Sequence, residues 1–360
     1  MYIIDNIIFS LQKSGGISAV WYEHLKRLLN DNQINDKLEF VEYDSAKENI
    51  FRGNLKIDDS IINHQSSKLL RIKRYINPSI KTHSAPYIFH SSYYRTSRDK
   101  ESVNITTVHD FTYEYFSNGL PKLIHCKQKY LAIRNSDLII CISENTKKDL
   151  LRFLPDIPES RIRVVYNGVS DDYHQLDKFS SNLFSGQPFA LFVGARDGYK
   201  NFSFAVEALA NSFLSLVVVG APLSNNEIEY LESKLGSNRY KYEGRVSNAD
   251  LNKLYNSAFC LLYPSSYEGF GIPVIEAQKA GCPVIAANCS SIPEIVGDKT
   301  LLINEYSSNE IKKKINILKN PRNRDEIIHL GIENSRRFSW DDTYANTMKV
   351  YQDAADLINK

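Results

Sequence analysis

A chain of 360 residues is too long for one ordinary hydrophobic core and suits two domains of middling size. Its composition, 42% hydrophobic and 24% charged, is that of a globular protein, and no apolar run reaches the about 20 residues that a membrane-crossing helix requires. A formal net charge of +2 argues against a dedicated nucleic-acid binder, and cysteines scattered at 126, 141, 260, 282 and 289 form no CxxC pair, which favours a reducing cytoplasm over a disulfide framework or a zinc site.

The N-terminus, Met1-Tyr2-Ile3-Ile4-Asp5, lacks the basic-then-apolar layout of a secretion signal and reads as a first strand. Short apolar runs then alternate with longer amphipathic ones, the pattern of parallel sheets wrapped by helices. Strands are predicted over residues 2–9, 38–43, 87–90, 105–109, 138–142 and 163–166, with helices over 16–29, 121–135 and 144–153. Ser143 opens the last of these as an N-cap, a structural role. Asn167-Gly168-Val169 interrupts the alternation, and the polar residues up to 188 read as a linker.

A second alternation follows, with strands over 189–193, 215–219, 240–243, 259–263, 283–286 and 300–303, and helices over 202–211, 225–235, 248–256 and 272–280. Strands as apolar as Leu216-Val217-Val218-Val219 suit sheets covered on both faces. Residues 340–359 show apolar positions at helical spacing. The expected architecture is α/β, with two doubly wound, Rossmann-like domains facing a central cleft. They would span residues 1–170 and 189–339, joined by a linker over 171–188, with a terminal helix over 340–360. Ligands of such sheets gather at the carboxyl ends of the strands.

The segment richest in chemistry is Glu268-Gly269-Phe270-Gly271-Ile272-Pro273-Val274-Ile275-Glu276. Its glycines allow close approach of backbone to a ligand, the helix that follows offers free N–H groups, and proline is tolerated at a helix start. A helix beginning at Gly271 or Ile272 carries Glu276 about one turn in, where it could face the same ligand as Glu268. This segment matches the E-x7-E motif of retaining GT-B glycosyltransferases of family 4, and the chain resembles that family along nearly its whole length. Val193-Gly194-Ala195-Arg196-Asp197-Gly198-Tyr199-Lys200-Asn201 is similar to the family's strand-end turn.

The resemblance implies a set of roles. Arg196 and Lys200 would hold the donor diphosphate, with Gly194 and Asn201 beside them. Glu276 would bind the ribose hydroxyls, while Glu268 and the backbone of Phe270, Gly271 and Ile272 would hold the donor sugar. Ser14-Gly15-Gly16 looks like the family's glycine loop, with Gly15 and Gly16 approaching the phosphates or the acceptor. His109 would contact the donor sugar, and Asp110 either joins it or caps the helix beyond. The long last helix would cross back to the first domain. A phosphate leaving group needs fixed cations or a metal; with no DxD pair in a metal-binding context and no His/Cys cluster, Arg196, Lys200 and helix N-termini would take that part.

The implied enzyme is a retaining, metal-independent hexosyltransferase without a cofactor. It would move a sugar from a GDP- or UDP-linked donor to a glycan or lipid-linked oligosaccharide in bacterial surface polysaccharide biosynthesis. The alternatives are a GT-B sugar-nucleotide epimerase, a phosphorylase or a non-catalytic sugar-nucleotide binding protein. A dehydrogenase is disfavoured, because the first turn has no GxGxxG fingerprint.

From Ser60 to Arg98 the chain carries Lys68, Arg71, Lys73, Arg74, Lys81, Arg95 and Arg98, and no Asp or Glu. The segment 68–76 is basic and apolar at mixed helical spacing. It reads either as a solvated helix with its apolar residues on the core, or as a peripheral contact of Lys68, Arg71, Lys73 and Arg74 with an anionic membrane.

Overall fold

The computed structural model describes residues 1–80, 86–177, 183–196 and 198–358, and they divide into two units. The first unit comprises Met1–Asn167 together with Trp340–Lys360. Its strands are β1 (Tyr2–Asp5), β2 (Leu38–Tyr43), β3 (Ile62–Gln65), β4 (Tyr87–Ser91), β5 (Ser102–Val108), β6 (Leu138–Cys141) and β7 (Ile162–Val164). They form one parallel sheet in the order β3-β2-β1-β4-β5-β6-β7. The strand order reverses at β1, next to β4, which is the switch point of a doubly wound sheet.

The helices of this unit are α1 (Ile8–Leu11), α2 (Gly16–Leu28), α3 (Leu70–Lys73), α4 (Thr112–Phe116), α5 (Gly119–Arg134) and α6 (Glu144–Phe153). Two expectations shift here. The apolar run over 2–9 is not one strand: β1 ends at Asp5, and Ile7, Ile8 and Phe9 are buried by a helical turn instead. The basic segment over 68–76 forms only the single turn α3, entered through a left-handed Leu69 with φ of 63°. Ser143 Oγ accepts the N–H of Thr146 at 3.0 Å, the N-cap expected of it.

The second unit is Gly168–Ser339. Its strands β8 (Phe189–Val193), β9 (Ser215–Val219), β10 (Tyr240–Gly244), β11 (Cys260–Tyr263), β12 (Val284–Ala287) and β13 (Leu302–Ile303) form a parallel sheet in the order β10-β9-β8-β11-β12-β13. Around it lie α7 (Phe202–Ala210), α8 (Asn225–Leu235), α9 (Asn248–Ser257), α10 (Ile272–Lys279), α11 (Ile292–Ile295), α12 (Ser308–Leu318) and α13 (Pro321–Ser335). Each of β8, β9, β11 and β12 is almost wholly buried, because helices cover both faces.

Part of the stretch read as a linker is bound to α9. Asn252 Oδ1 accepts the N–H of His174 at 3.1 Å, and Asn256 Oδ1 that of Leu176 at 2.7 Å. Residues 178–182 of that stretch lie outside the described residues.

The helix α14 (Trp340–Ile358) belongs to the first unit although the whole second unit precedes it in sequence. It packs on α2, β4 and β5, and buries Val350, Tyr351 and Ala354 in the core that holds Ile4, Leu25 and Ile88. Tyr351 Oη lies 3.0 Å from His24 Nε2 and 2.8 Å from His90 Nδ1, and His90 Nε2 lies 2.9 Å from Thr107 Oγ1. These buried polar atoms satisfy one another, as burial requires.

Candidate active site

In the second unit the residues singled out from sequence converge at the carboxyl ends of β8, β11 and β12. β8 runs out at Val193, and Gly194 follows with φ of 120°, donating its N–H to Val219 O at 3.0 Å. The turn after β9 comes equally close: a Cβ on Gly220 would sit 2.5 Å from Gly194 O, so only glycine allows the two turns to touch. Arg196, next in line, is mostly buried. Its Nε donates to Glu227 Oε1 at 2.5 Å and its Nη2 to Pro222 O at 2.8 Å, while its buried Nη1 has no hydrogen-bond partner. The guanidinium beside Glu227 pulls that carboxyl down to about 2, with the N–H and hydroxyl of Ser224 acting the same way.

Lys200 closes the same turn, and its Nζ donates to Glu268 Oε1 at 2.6 Å, between the rings of Tyr199 and Tyr263. Asn201 takes the left-handed conformation (φ 53°) that starts α7, and its Nδ2 donates to Pro264 O at 2.8 Å. Ser266 N donates to Tyr199 O at 2.8 Å, so the loops after β8 and β11 are held together by backbone as well as by the ion pair.

The Glu268–Gly271 loop is fixed from below by the segment after β12. Glu268 N donates to Ser290 Oγ at 2.9 Å, and Ser291 Oγ lies 3.0 Å from Glu268 O and 2.8 Å from Phe270 O. Gly271, with φ of 108°, is the residue before α10, and a Cβ there would meet Ile292 Cδ1 at 2.8 Å. α10 starts at Ile272 with Pro273 in its first turn, as proline's missing N–H allows. Glu276 lies one turn in and accepts the Tyr255 hydroxyl at 3.0 Å. Burial raises its carboxyl to about 7, against the hydrogen bonds of Tyr255 and Tyr173.

Gly15, Gly16, His109 and Asp110 lie in the first unit. Gly15 is extended and precedes α2; a Cβ on it would meet the Gln12 side chain at 2.4 Å, whereas Gly16 has open space. His109 follows β5 and is buried, which lowers its imidazole to about 4; Asp110 opposes that shift and Lys129 adds to it, so the ring is neutral at pH 7. Asp110 does cap the following turn, its Oδ1 accepting the N–H of Thr112 at 2.8 Å. Burial pushes its carboxyl up, but Lys129 and the Thr112 N–H outweigh this and hold it below the usual range. The wholly buried Lys129 spans the segment, donating to Asp110 O at 2.8 Å and to Glu114 Oε2 at 2.9 Å.

One member of the basic stretch is reassigned. Arg95 is not a surface cation: it is buried at the ends of β1 and β2, pairing with Asp5 and donating to Tyr43 Oη at 2.9 Å. Lys81, and Asp197 in the strand-end turn, lie outside the described residues. Sequence reasoning also missed Glu227, Gly220, Ser290 and Ser291. Ser224-x-x-Glu227 is legible as a capping box, but nothing in that spacing says that the Glu also grips Arg196. Among the described residues no group of three or more His, Cys, Asp or Glu side chains is placed to hold a metal ion, and no helix is long and apolar enough to cross a membrane.

Comparison with known proteins bears on the family and the fold. Residues 174–335 match the family described as glycosyl transferases group 1, and residues 54–173 match glycosyltransferase family 4. The O-antigen chain mannosyltransferase B of Escherichia coli is 26% identical over 286 residues, covering 74% of each chain. An uncharacterized glycosyltransferase of Methanocaldococcus jannaschii is 30% identical over 230 residues, 62% of this chain and 62% of its own length. Among solved structures, Anabaena HepE in complex with UDP and glucose superposes with a TM-score of 0.72 at 14% identity, over 98% of this chain and 99% of that one, a likeness of fold. With two adjoining family matches and a pair of doubly wound parallel sheets, the chain belongs to the group 1 glycosyltransferases of the GT-B fold.

Proposed function

We propose that the protein is a retaining, metal-independent hexosyltransferase that uses a GDP- or UDP-linked sugar and a glycan or lipid-linked oligosaccharide acceptor. The observation that carries this reading is the pair of cations, Arg196 and Lys200, fixed by Glu227 and Glu268 at the carboxyl ends of β8 and β11. Cations locked in place before reaction stabilise developing charge without reorganising. Arg196 offers a planar fork whose Nη1 is unpartnered, and Lys200 a point charge with two N–H bonds beyond the one given to Glu268. The N-terminus of α10 adds backbone donors beside the Phe270-Gly271 turn.

In this reading the bond from the anomeric carbon to the leaving phosphate oxygen breaks through an oxocarbenium-like state. The acceptor oxygen bonds to the same face of that carbon, and its proton passes to the leaving phosphate. Glu268, tied to Lys200 and aimed at sugar hydroxyls, positions the donor rather than attacking it. Glu276 takes the ribose hydroxyls. His109, a neutral ring at pH 7, serves as a hydrogen-bonding contact for the sugar, and Gly15 and Gly16 leave room for phosphates or acceptor. The E. coli relative named for O-antigen chains supports a role in bacterial surface polysaccharide assembly, which this reading places on the cytoplasmic side.

Calorimetry with UDP, GDP and ADP in the presence of EDTA tests the donor site. One diphosphate should bind without metal, and Lys200→Ala should weaken that binding and reduce transfer by at least about 100-fold. Absence of binding to all three, or a wild-type rate in the variant, would overturn the assignment. The anomeric configuration of the product, read by NMR, decides retention.

A further inference from the structure

α5 buries Ala132 and Ile133 but leaves much of its remaining apolar content in water. Its inward side chains include Gln128 and Lys129, at 9% and 0% exposure, whereas Leu120, Leu123 and Leu131 are exposed by 67%, 66% and 49%. Ile124 is exposed as well, so residues 120, 123, 124, 127 and 131 form one helix face with Lys127 in its midst. Leaving that much leucine in water is unfavourable unless something covers it.

The face continues onto the segment read from sequence as a basic helix. Gln128 Nε2 donates to Arg74 O at 2.6 Å, which seats residues 69–76 beside α5. There Leu69, Ile72 and Ile76 are exposed by 70%, 59% and 52%, so the expectation that these apolar residues pack on the core fails. Between the two elements opens a cavity of about 620 Å³, lined in part by Tyr75, Ile124 and Leu131 and by the cations Arg98 and Lys127. The two segments themselves carry no acid: residues 60–98 contain no Asp or Glu, and neither does α5, while Lys68, Arg71 and Lys127 are exposed; Asp44, 3.4 Å from Ser67 N, and Asp99 lie at their margins.

We infer that this composite face of α3 and α5 seats the first unit on an anionic lipid bilayer, with the exposed leucines and isoleucines entering the headgroup boundary and the lysines and arginines meeting lipid phosphates. Exposed aliphatic side chains set among cations, on segments that carry no acid, match an interface that is apolar below and negative above. A protein partner would need acidic residues around an apolar centre, and a second copy of this face would oppose cation to cation. The inference is independent of the donor-site cations Arg196 and Lys200, which lie in the other unit.

The test is sedimentation of the full chain with vesicles of phosphatidylglycerol and phosphatidylcholine, against phosphatidylcholine alone, at low salt. The wild type should co-sediment with the anionic vesicles only. Leu123→Asp with Ile124→Asp should abolish this, and Lys127→Glu should weaken it by about five-fold or more, with circular dichroism and melting temperature unchanged in each. The inference is overturned if the wild type stays in the supernatant, or if these variants sediment as the wild type does. It is equally overturned if the face proves to be covered by a second copy, as self-association that Leu123→Asp removes.

Discussion

Burial raises the Glu276 carboxyl to about 7, and this has a direct consequence for nucleotide binding. A carboxylate accepts two hydroxyl hydrogen bonds; the protonated acid must spend one oxygen as a donor. Since burial raises this group to about 7, the ionised form is gained as pH rises through 7, and affinity for the nucleoside diphosphate should rise with it. Calorimetry between about pH 6 and 8 should show that slope in the wild type and a flat, weaker response in Glu276→Gln. A flat wild-type profile would remove Glu276 from the ribose. The residue types of the site were legible because Glu268 to Glu276 and Arg196 to Lys200 are short, continuous segments. Their partners were not. Glu227 reaches Arg196 across 31 residues and Arg95 reaches Asp5 across 90, and no local spacing encodes such a meeting.

At the scale of elements, buried runs declare themselves: residues 38–43 and 215–219 read as strands and are strands to the residue. β3 was invisible because Ile-Asn-His-Gln at a sheet edge carries a single buried apolar side chain. α14 was legible as a helix, but not the reason it stays in place. That reason is the burial of Val350, Tyr351 and Ala354 together with the Tyr351 hydroxyl between His24 and His90. Tyr351→Phe leaves two buried ring nitrogens without this partner and should cost about 1–3 kcal/mol in denaturant unfolding. Burial lowers the His24 imidazole to about 4 and holds His90 well below its ordinary value. Both rings therefore bind protons more readily unfolded than folded, so stability of the first unit should fall as pH drops from about 6.5 towards 4. Melting curves across that range should show the loss, and a melting temperature that is level to pH 4 would contradict it.

For the molecule as a whole, two alternations of strand and helix were enough to announce two doubly wound sheets, because the 3.6 and 2 periodicities survive in sequence. The return of α14 to the first unit came from the resemblance rather than from any periodicity. It has a measurable signature: a fragment of residues 168–339 should fold and melt cooperatively alone, whereas residues 1–167 alone should expose the surface that Val350, Tyr351 and Ala354 cover and fail to do so. Adding a peptide of residues 340–358 to the fragment of residues 1–167 should restore its circular dichroism. Cooperative melting of 1–167 by itself would show that α14 is dispensable.

That discontinuity also sets an order of events during synthesis. Domains usually fold as they leave the ribosome, the earliest first. Here the first unit is left without one of its own helices until the entire second unit and then α14 have been made. At about 5–20 residues per second, the stretch from Asn167 to Trp340 occupies roughly 10–35 s, in which the second unit can finish while the first stands with its α14 groove open. The half of the chain that is translated first is thus the half that matures last, and it is in this interval that a holding chaperone or premature self-association would find its target.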